Sequence, residues 1–210
     1  MIAIIDYGVG NLYSVEKAVE AVGGDVTVTS DAEDLEFADK LILPGVGAFG
    51  DCMKNLEDTG LIPTILEQIK NKKPLFGICV GLQILFEGSE ESPDVKGLGI
   101  FKGKVRKICA EGLKIPHMGW NYVKIGSKNY TKFGASKFMV GLPAMPYFYF
   151  VHSYQAIPVD ENLVAARTFY GESITAAIEY ENIFATQFHP EKSGDVGLKV
   201  LKNFVDYYTN

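Results

Sequence analysis

The stretch Gly77-Ile78-Cys79-Val80-Gly81 lies between two segments whose patterns decide the fold class. The apolar residues 75–78 predict a buried strand, and residues 80–86 predict a helix that follows it directly. The cysteine at their junction has the form G-x-nucleophile-x-G, in which flanking glycines let the backbone turn sharply and hold a nucleophile at the top of a sheet. A strand that passes at once into a helix predicts an α/β domain.

Two interpretations of this cysteine stay open from the pentapeptide alone. Cys79 is either an activated thiol at a helix N-terminus, with the Val80 N–H directed at an oxyanion, or a structural cysteine beside glycines that serve helix–sheet packing. Cys52 and Cys109 have no such surroundings and are expected to be core or surface thiols. Cys79 is therefore the candidate nucleophile.

Strands and helices alternate throughout the N-terminal half. The strands are expected at residues 1–5, 26–28, 40–43 and 75–78, and the helices at residues 11–22, 48–56, 61–70 and 80–86. Pro44-Gly45 is expected to close the third strand. This alternation predicts βαβ units and a parallel sheet covered on both faces.

After residue 97 the pattern changes to successive strands joined by turns. These strands are expected at residues 104–108, 121–125, 147–154, 163–170, 174–179 and 183–187, with a final helix at residues 196–208. Residues 130–146 show no motif and are expected to form a loop. Because no linker is long enough to divide the chain, we expect residues 1–210 to form one α/β domain with a mixed sheet.

Composition excludes several classes of function. Of the 210 residues 47% are apolar and 22% are charged, which is typical of a globular protein, and the net charge of −6 disfavours nucleic-acid binding. No apolar run reaches the ~20 residues of a membrane span, and no basic segment precedes Asp6, so neither a span nor a signal peptide is expected. Three scattered cysteines and three histidines predict no disulfide framework and no metal site, in a reducing, cytoplasmic setting.

The stretch Gln187-Phe188-His189-Pro190-Glu191 follows a predicted strand and supplies a candidate base. In an extended backbone His189 and Glu191 leave the same face, so the carboxylate can orient the imidazole while the second ring nitrogen faces a thiol. Alone such a pair is usually solvated. Together with the elbow in an α/β domain, it indicates nucleophilic catalysis.

Two further features could complete such a site. The turn Leu43-Pro44-Gly45-Val46-Gly47 could present backbone N–H groups to an anion, although Pro-Gly after a strand usually makes only a turn. Gln83 lies one helical turn after Cys79 and could hold a substrate amide or carboxylate. Gly8-Val9-Gly10 does not make a dinucleotide motif, because Tyr13 occupies the third glycine position.

Three of these motifs together resemble the class I (triad) glutamine amidotransferases: Pro44-Gly45-Val46-Gly47, Gly77-Ile78-Cys79-Val80-Gly81-Leu82-Gln83 and His189-Pro190-Glu191. Three more are similar to the glutaminase subunits of imidazole glycerol phosphate synthases: Asp6-Tyr7-Gly8-Val9-Gly10-Asn11-Leu12, Pro116-His117-Met118-Gly119-Trp120-Asn121 and Tyr149-Phe150-Val151-His152-Ser153-Tyr154. The motifs run in the expected order, so the resemblance covers nearly the whole chain.

The resemblance implies a flavodoxin-like three-layer α/β sandwich with a mixed, mostly parallel central sheet. It implies glutamine hydrolysis by a Cys79–His189–Glu191 triad, in which a thiolate attacks the amide, His189 protonates departing ammonia, and water releases glutamate from a thioester. Backbone N–H groups of Val80 and, after a peptide rearrangement, Val46 would hold the oxyanion. Residues at glutamine-binding positions are Gly47, Gln83, Ser153 and Tyr154. No cofactor and no metal is expected.

The resemblance also implies a heterodimer with a (βα)8-barrel cyclase. Ammonia would reach this partner without meeting bulk solvent and join a ribulosyl nucleotide intermediate of histidine biosynthesis, giving imidazole glycerol phosphate and an aminoimidazole carboxamide ribotide. Residues at partner-facing positions are Asn11, Trp120, Tyr149 and Lys192, although the two aromatic residues could instead lie in the core and the lysine could be merely solvated. His117 and His152 are expected to be structural or interfacial.

Three alternatives remain beside this hypothesis. A paralogous glutaminase that feeds ammonia to a sugar-modifying synthase would share the triad. A non-catalytic partner-binding module is disfavoured because all three triad residues are present. Other cysteine hydrolases commonly place histidine directly after the elbow cysteine, where this chain has Val80.

Overall fold

The elements that the sequence patterns predict are recovered, with differences in their ends, in a computed structural model that describes residues 1–126 and 136–207. The helices in this part of the chain are α1 (Leu12–Ala21), α2 (Ala32–Phe37), α3 (Phe49–Asp58), α4 (Ile62–Lys70), α5 (Val80–Gln83) and α6 (Gly194–Val205). The strands are β1 (Ile2–Ile5), β2 (Val26–Thr29), β3 (Lys40–Gly45), β4 (Leu75–Cys79), β5 (Gly88–Ser89), β6 (Ser92–Lys96), β7 (Gly103–Lys107), β8 (His117–Tyr122), β9 (Lys124–Ile125), β10 (Tyr147–His152), β11 (Tyr154–Pro158), β12 (Val164–Tyr170), β13 (Glu172–Tyr180) and β14 (Ile183–Thr186).

A central sheet of eight strands has the order β2-β1-β3-β4-β14-β13-β12-β9. The first five of these strands are parallel, and the last three are joined to them by antiparallel pairings. The prediction of a mixed, mostly parallel sheet is thus confirmed. Strands β1, β3 and β4 are buried along their whole length, which explains why their sequences are continuous apolar runs instead of alternating ones.

Helices cover the sheet in two groups, α1 with α6 and α2 with α4. The chain moves from β1 outward to β2 and then returns past β1 to β3, so the connections before and after β2 lie on opposite faces. This reversal puts a topological switch point between β1 and β3, where ligands bind in open α/β sheets. The three-layer α/β sandwich is as expected.

Two smaller sheets adjoin the central one. Strands β8 and β10 form an antiparallel pair, and β11, β7, β5 and β6 form a second sheet. The predicted strand at residues 147–154 is therefore wrong as a single element, because the chain leaves one sheet after His152 and enters the other at Tyr154. Ser153 is the corner between them.

The expected end of the third strand at Pro44-Gly45 is also wrong. In β3 these residues continue the parallel pairing, Pro44 opposite Ile78 and Gly45 opposite Cys79. Proline is tolerated there because β1 pairs with β3 only as far as Ile42, so no neighbour on that side needs the missing N–H.

The helix after Cys79 is much shorter than predicted. It ends at Gln83, because the Leu85 and Phe86 N–H groups donate to the Leu82 and Gln83 carbonyls, three residues back, instead of to the fourth residue back. The Ile84 and Leu85 carbonyls accept from Leu98 and Phe101, so a loop later in the chain binds the segment after the helix.

Other differences concern ends and omissions. Helix α2 was not predicted, although Asp31 is a typical N-cap and accepts a hydrogen bond from the Glu33 N–H. The predicted strand at residues 121–125 begins earlier, at His117, and is split into β8 and β9. The last helix begins at Gly194 and ends at Val205, and position 208 lies outside the described residues. Of the predicted loop, residues 130–135 also lie outside them, and residues 136–146 form turns and irregular backbone.

Candidate active site

The carboxyl ends of four parallel strands surround one open cavity of about 630 Å³. The chain contributes to its wall after β1, after β3, at the end of β4 and after β14, which is the edge where α/β sheets bind ligands. The lining residues are Gly10, Asn11, Val46, Gly47, Cys79, Val80, Gln83, Glu91, Pro116, Val151, His152, Ser153, Tyr154, His189 and Lys192.

Cys79 occupies a strained backbone position at the junction of β4 and α5. Its φ is +55° and its ψ is −108°, a conformation that is uncommon for residues other than glycine and that often marks functional sites. The side chain is only 3% exposed, yet it lines the cavity. The turn thus brings a nearly buried sulfur to the cavity wall.

The glycines on either side of Cys79 serve close packing. A Cβ atom on Gly77 would lie 2.9 Å from the Gly81 carbonyl oxygen, and one on Gly81 would lie 1.9 Å from the Leu43 carbonyl oxygen. Neither glycine has a positive φ. The packing interpretation of these glycines therefore describes them well, while the sharp turn is made by Cys79 itself.

His189 and Glu191 form a buried pair beside the cavity. Nδ1 of His189 lies 2.8 Å from Oε1 of Glu191, and both side chains are at most 2% exposed. The expected extended geometry holds only at His189, since residues Pro190–Lys192 form a 3-10 turn that returns the carboxylate to the ring. The turn is held in place by the Tyr149 carbonyl, which accepts from the His189 N–H, and by Ser193 Oγ, which donates to the His189 carbonyl.

The surroundings of His189 favour its protonated form. Burial lowers the pKa of the imidazole, but the attraction of Cys79 and of Glu191 outweighs burial and raises the pKa to about 10. Among the described residues, Nε2 of His189 has no partner at hydrogen-bond distance. The ring can therefore hold a proton on the side that faces the cavity.

This charge arrangement predicts that His189 stays protonated at pH 8. The pKa is raised above the ordinary value near 6.5, so the stabilisation that the imidazolium contributes is complete below about pH 6.5 and is lost as the pH rises through about 10. A ¹⁵N NMR titration of the imidazole measures this directly. The matched variant Glu191→Gln removes one of the raising charges and should titrate at lower pH. A wild-type midpoint at or below 6.5 would contradict the prediction.

Two glutamine side chains close the rear of the site. Nε2 of Gln83 donates to the Tyr154 carbonyl at 3.1 Å and to Oε1 of Gln187 at 3.0 Å. Nε2 of Gln187 in turn lies 3.7 Å from the Cys79 sulfur. The sequence assigns no role to Gln187, although it lies two residues before His189. Its complete burial beside Cys79 is visible only in the structure.

The turn after β3 lies beside the elbow, since Gly45 is paired with Cys79. The Pro44 carbonyl accepts from the Tyr7 hydroxyl at 2.5 Å, and the Val46 carbonyl accepts from the Cys52 thiol at 3.4 Å. Gly47 has φ +91°, a conformation that favours glycine. Val46, Gly47 and the elbow residue Val80 all line the cavity.

Glu91 lines the cavity and was not singled out from the sequence. It follows β5, outside every motif, and its Oε2 accepts from the Phe49 N–H at 2.8 Å, at the start of α3. The clustered acidic residues around it carry no distinctive spacing. Only the folded chain shows that this one faces the cavity.

The four residues at expected partner-facing positions fall into two groups. Asn11 and Lys192 line the cavity, whereas Trp120 and Tyr149 pack edge to face, 6.3 Å apart, on the pair β8 and β10. Trp120 is 57% exposed, so its alternative assignment to the core is wrong. His117 and His152 are buried and lie 2.9 Å apart, joined by a hydrogen bond.

Residues 1–126 and 136–207 contain no group of three or more His, Cys, Asp or Glu side chains that could hold a metal ion. No helix within those ranges is long and apolar enough to cross a membrane.

Solved structures share this fold. A glutamine amidotransferase aligns with a TM-score of 0.75 at 18% identity, covering 99% of this chain and 100% of that one. PurLQS from Thermotoga maritima aligns with a TM-score of 0.74 at 21% identity, covering 98% and 97%. At these identities the likeness concerns the fold alone.

Sequence comparison is more specific. A sequence model of the family described as glutamine amidotransferase class-I matches residues 3–207. Imidazole glycerol phosphate synthase subunit HisH of Methanothermobacter thermautotrophicus is 53% identical over 206 residues, 98% of either chain. The subunit of the same name from Aquifex aeolicus is 50% identical over 202 residues, 96% of this chain and 94% of that one. The chain therefore belongs to the class-I glutamine amidotransferases and, among them, to the family of imidazole glycerol phosphate synthase subunits HisH.

Proposed function

We propose that this glutamine amidotransferase hydrolyses glutamine with Cys79 as nucleophile, His189 as acid and base, and Glu191 as the group that orients the histidine. One observation carries the proposal. The cavity wall holds the strained, nearly buried Cys79 together with the buried His189, whose Nδ1 is 2.8 Å from the Glu191 carboxylate. A nucleophile, a base and an orienting carboxylate are the parts that acyl transfer requires.

The reaction follows from these positions. The Cys79 thiolate attacks the side-chain amide carbon, and protonated His189 gives its proton to the departing nitrogen, so that neutral ammonia leaves and a thioester remains. Neutral His189 then takes a proton from a water molecule while the oxygen of that water attacks the thioester. The thiolate and glutamate are released, and the second water proton leaves as the carboxylic acid ionises.

The remaining cavity residues suit the two ends of the substrate. The backbone N–H groups of Val80 and Val46 are proposed to hold the oxyanion, Val46 after its peptide rotates. Glu91 supplies a negative charge for the α-ammonium group of glutamine. The other proposed glutamine-binding residues, which line the same cavity, are Gly47, Gln83, Ser153 and Tyr154.

The role of Glu91 predicts a specific defect in binding. Glu91→Gln keeps an oxygen that can accept from the Phe49 N–H but removes the charge, so KM for glutamine should rise about 10- to 100-fold, the range of one charge-assisted hydrogen bond. Steady-state kinetics of glutamate release measure the effect. The matched control is Glu90→Gln, whose carboxylate bonds the Lys107 N–H outside the cavity. A KM within about twofold of wild type would contradict the assignment.

The partner is proposed to be a (βα)8-barrel cyclase that binds as a heterodimer. The curated relatives are named as subunits of imidazole glycerol phosphate synthase, which implies a synthase partner. We propose that the partner binds the exposed face of β8 and β10, because Met118, Trp120 and Tyr147 are large apolar or aromatic residues that are each more than half exposed there. Asn11 and Lys192 would lie where the cavity meets that partner.

Glutamate release in three mixtures tests the function. They are this chain alone, the chain with a histidine-pathway cyclase, and both with the ribulosyl nucleotide substrate. A large rise in the third mixture, accompanied by formation of imidazole glycerol phosphate and aminoimidazole carboxamide ribotide, is expected. No rise with a folded cyclase would favour the paralogue that serves a sugar-modifying synthase.

We also propose that residues 1–210 form one glutaminase domain in the cytoplasm. One hydrophobic cluster extends from Ile2 to Phe204, which supports a single unit. All three cysteines are free thiols, with Cys109 exposed, as suits a reducing compartment.

A further inference from the structure

A set of five polar side chains links strand β8 to the Cys79 sulfur. Its members, which we call the amide–histidine network, are Asn121, His117, His152, Gln83 and Gln187. The network consists of two branches that meet at the Tyr154 carbonyl, which accepts from Nδ1 of His152 at 2.8 Å and from Nε2 of Gln83 at 3.1 Å. None of the five belongs to the triad.

The histidine branch has one possible direction. The Tyr154 carbonyl can only accept, so Nδ1 of His152 must carry the proton, and Nε2 of its neutral ring must accept. The partner of that Nε2, at 2.9 Å, is Nδ1 of His117, which must therefore donate. Nε2 of His117 is then an acceptor, and Nδ2 of Asn121 lies 3.1 Å from it.

The far end of the branch independently requires the same direction. Oδ1 of Asn121 accepts from the Tyr122 N–H at 2.9 Å, and its Nδ2 also donates to the Phe169 carbonyl at 3.0 Å. The amide is thus oriented with its nitrogen toward His117. Agreement of the two ends assigns both histidines to the Nδ1–H tautomer.

Packing holds the two rings in this state. His117 is stacked between Phe150, 4.7 Å away, and Tyr170, 4.2 Å away. Burial lowers the pKa of His117 to about 4 and that of His152 to about 3, so both rings are neutral at pH 7. A neutral ring with one donor and one acceptor is what a directed network needs.

The glutamine branch runs from the Tyr154 carbonyl to the Cys79 sulfur. Gln83 offers its NH₂ group to Oε1 of Gln187, so the NH₂ group of Gln187 must face Cys79, with Nε2 3.7 Å from the sulfur. Reversal of the Gln187 amide would bring two NH₂ groups together. Both side chains are nearly or fully buried, where such a mismatch is costly.

We infer that Gln187 is a positioning residue that holds the Cys79 thiolate by donating an amide N–H to it, that Gln83 orients this amide, and that the two histidines hold in place the Tyr154 carbonyl to which Gln83 donates. The inference rests on the proposed role of Cys79 as nucleophile. A donor aimed at the sulfur stabilises negative charge there and restricts where the sulfur lies. The network also ties the corner at Ser153 to β8, because His152 and Tyr154 flank that corner.

The tautomers are tested in the unaltered protein. Long-range ¹H–¹⁵N NMR spectra of the full chain at pH 7 should show the Nδ1–H form for both His117 and His152, whereas free histidine favours Nε2–H. An Nε2–H form at either ring would overturn the inference, because the bond from His152 to the Tyr154 carbonyl, or the bond from His117 to His152, would then be absent.

The link to the sulfur is tested by alkylation with iodoacetamide, resolved by peptide mass spectrometry. The rate is measured as a function of pH. Gln187→Met keeps the side-chain length but removes a donor that favours the thiolate, so the pH at which Cys79 alkylation reaches half of its maximal rate should rise by about one unit. His117→Phe keeps the ring stack but removes the donor to His152, and it should shift this pH profile in the same direction by a smaller amount. The matched control Gln68→Met replaces another buried glutamine, on α4, and should change nothing.

Cys109 is exposed and serves as the internal reference thiol in every sample. A folded Gln187→Met protein whose Cys79 alkylation profile keeps its midpoint within about 0.3 pH unit of wild type would overturn the inference, since a lost donor to a charged atom has a larger effect. The readout needs no glutamine turnover. Normal network signatures with no glutamate release in the three mixtures would therefore count against the proposed function and not against the network.

Discussion

Replacing Cys79 by alanine is expected to lower glutamate release at least about 1,000-fold, since the covalent route through a thioester is then closed. The variant should keep its fold, because the change removes a single buried sulfur atom and leaves the backbone of β4 and α5 intact. The measurement is glutamate release in the presence of the cyclase and its nucleotide substrate, with circular dichroism to check folding.

Cys109→Ala is the matched control for this change. Cys109 is the exposed cysteine, and it follows β7 outside the cavity wall. Its replacement should leave glutamate release within about twofold of wild type, as surface substitutions usually do. A Cys79→Ala protein that kept more than about a tenth of the activity would refute the assigned nucleophile.

Replacing Gly81 by alanine is expected to be the most destabilising single methyl addition near the site. The new Cβ would lie 1.9 Å from the Leu43 carbonyl oxygen and 3.0 Å from its carbon, and both atoms belong to the backbone of the buried strand β3. Neither can move aside as a flexible side chain could. The free energy of unfolding should therefore fall by at least about 3 kcal/mol.

Urea unfolding measures this loss as a shift of the midpoint by roughly 1–2 M. The matched control is Gly88→Ala, where the nearest atom to the added Cβ is the Val95 carbonyl oxygen at 3.4 Å, an ordinary contact. That variant should unfold near the wild-type midpoint. Equal midpoints for the two variants would mean that α5 is not packed against β3 as closely as the structure has it.

The regular elements were predictable wherever their cause is local. Continuous apolar runs gave β1 and β4, and helical spacing gave α1 and α4, within one or two residues of their ends. Failures occurred where a distant segment decides the outcome. The segment after Gln83 leaves the helix and is bound by a later loop, whose Leu98 and Phe101 N–H groups donate to the Ile84 and Leu85 carbonyls.

The candidate site shows the same division. The sequence pointed to Cys79, His189 and Glu191 through motifs whose spacing is short and local. It did not point to Glu91 or to a role for Gln187, because neither stands in a pattern that implies the cavity. The wrong expectation of an extended backbone from His189 to Glu191 still placed the right two side chains together, through a 3-10 turn instead.

The sequence by itself determined the α/β class, the elbow and the nature of the reacting groups, because periodicity, glycine spacing and side-chain chemistry are local properties of the chain. Only the tertiary structure decided that His189 and Cys79 lie in the wall of the same cavity. Parallel pairing of β14 with β4 brings their carboxyl ends to the same edge of the sheet, although the strands are far apart in sequence. The same pairing buries His189 beside Cys79 and Glu191, and the electrostatic balance among these groups, which no local pattern encodes, raises the pKa of the histidine.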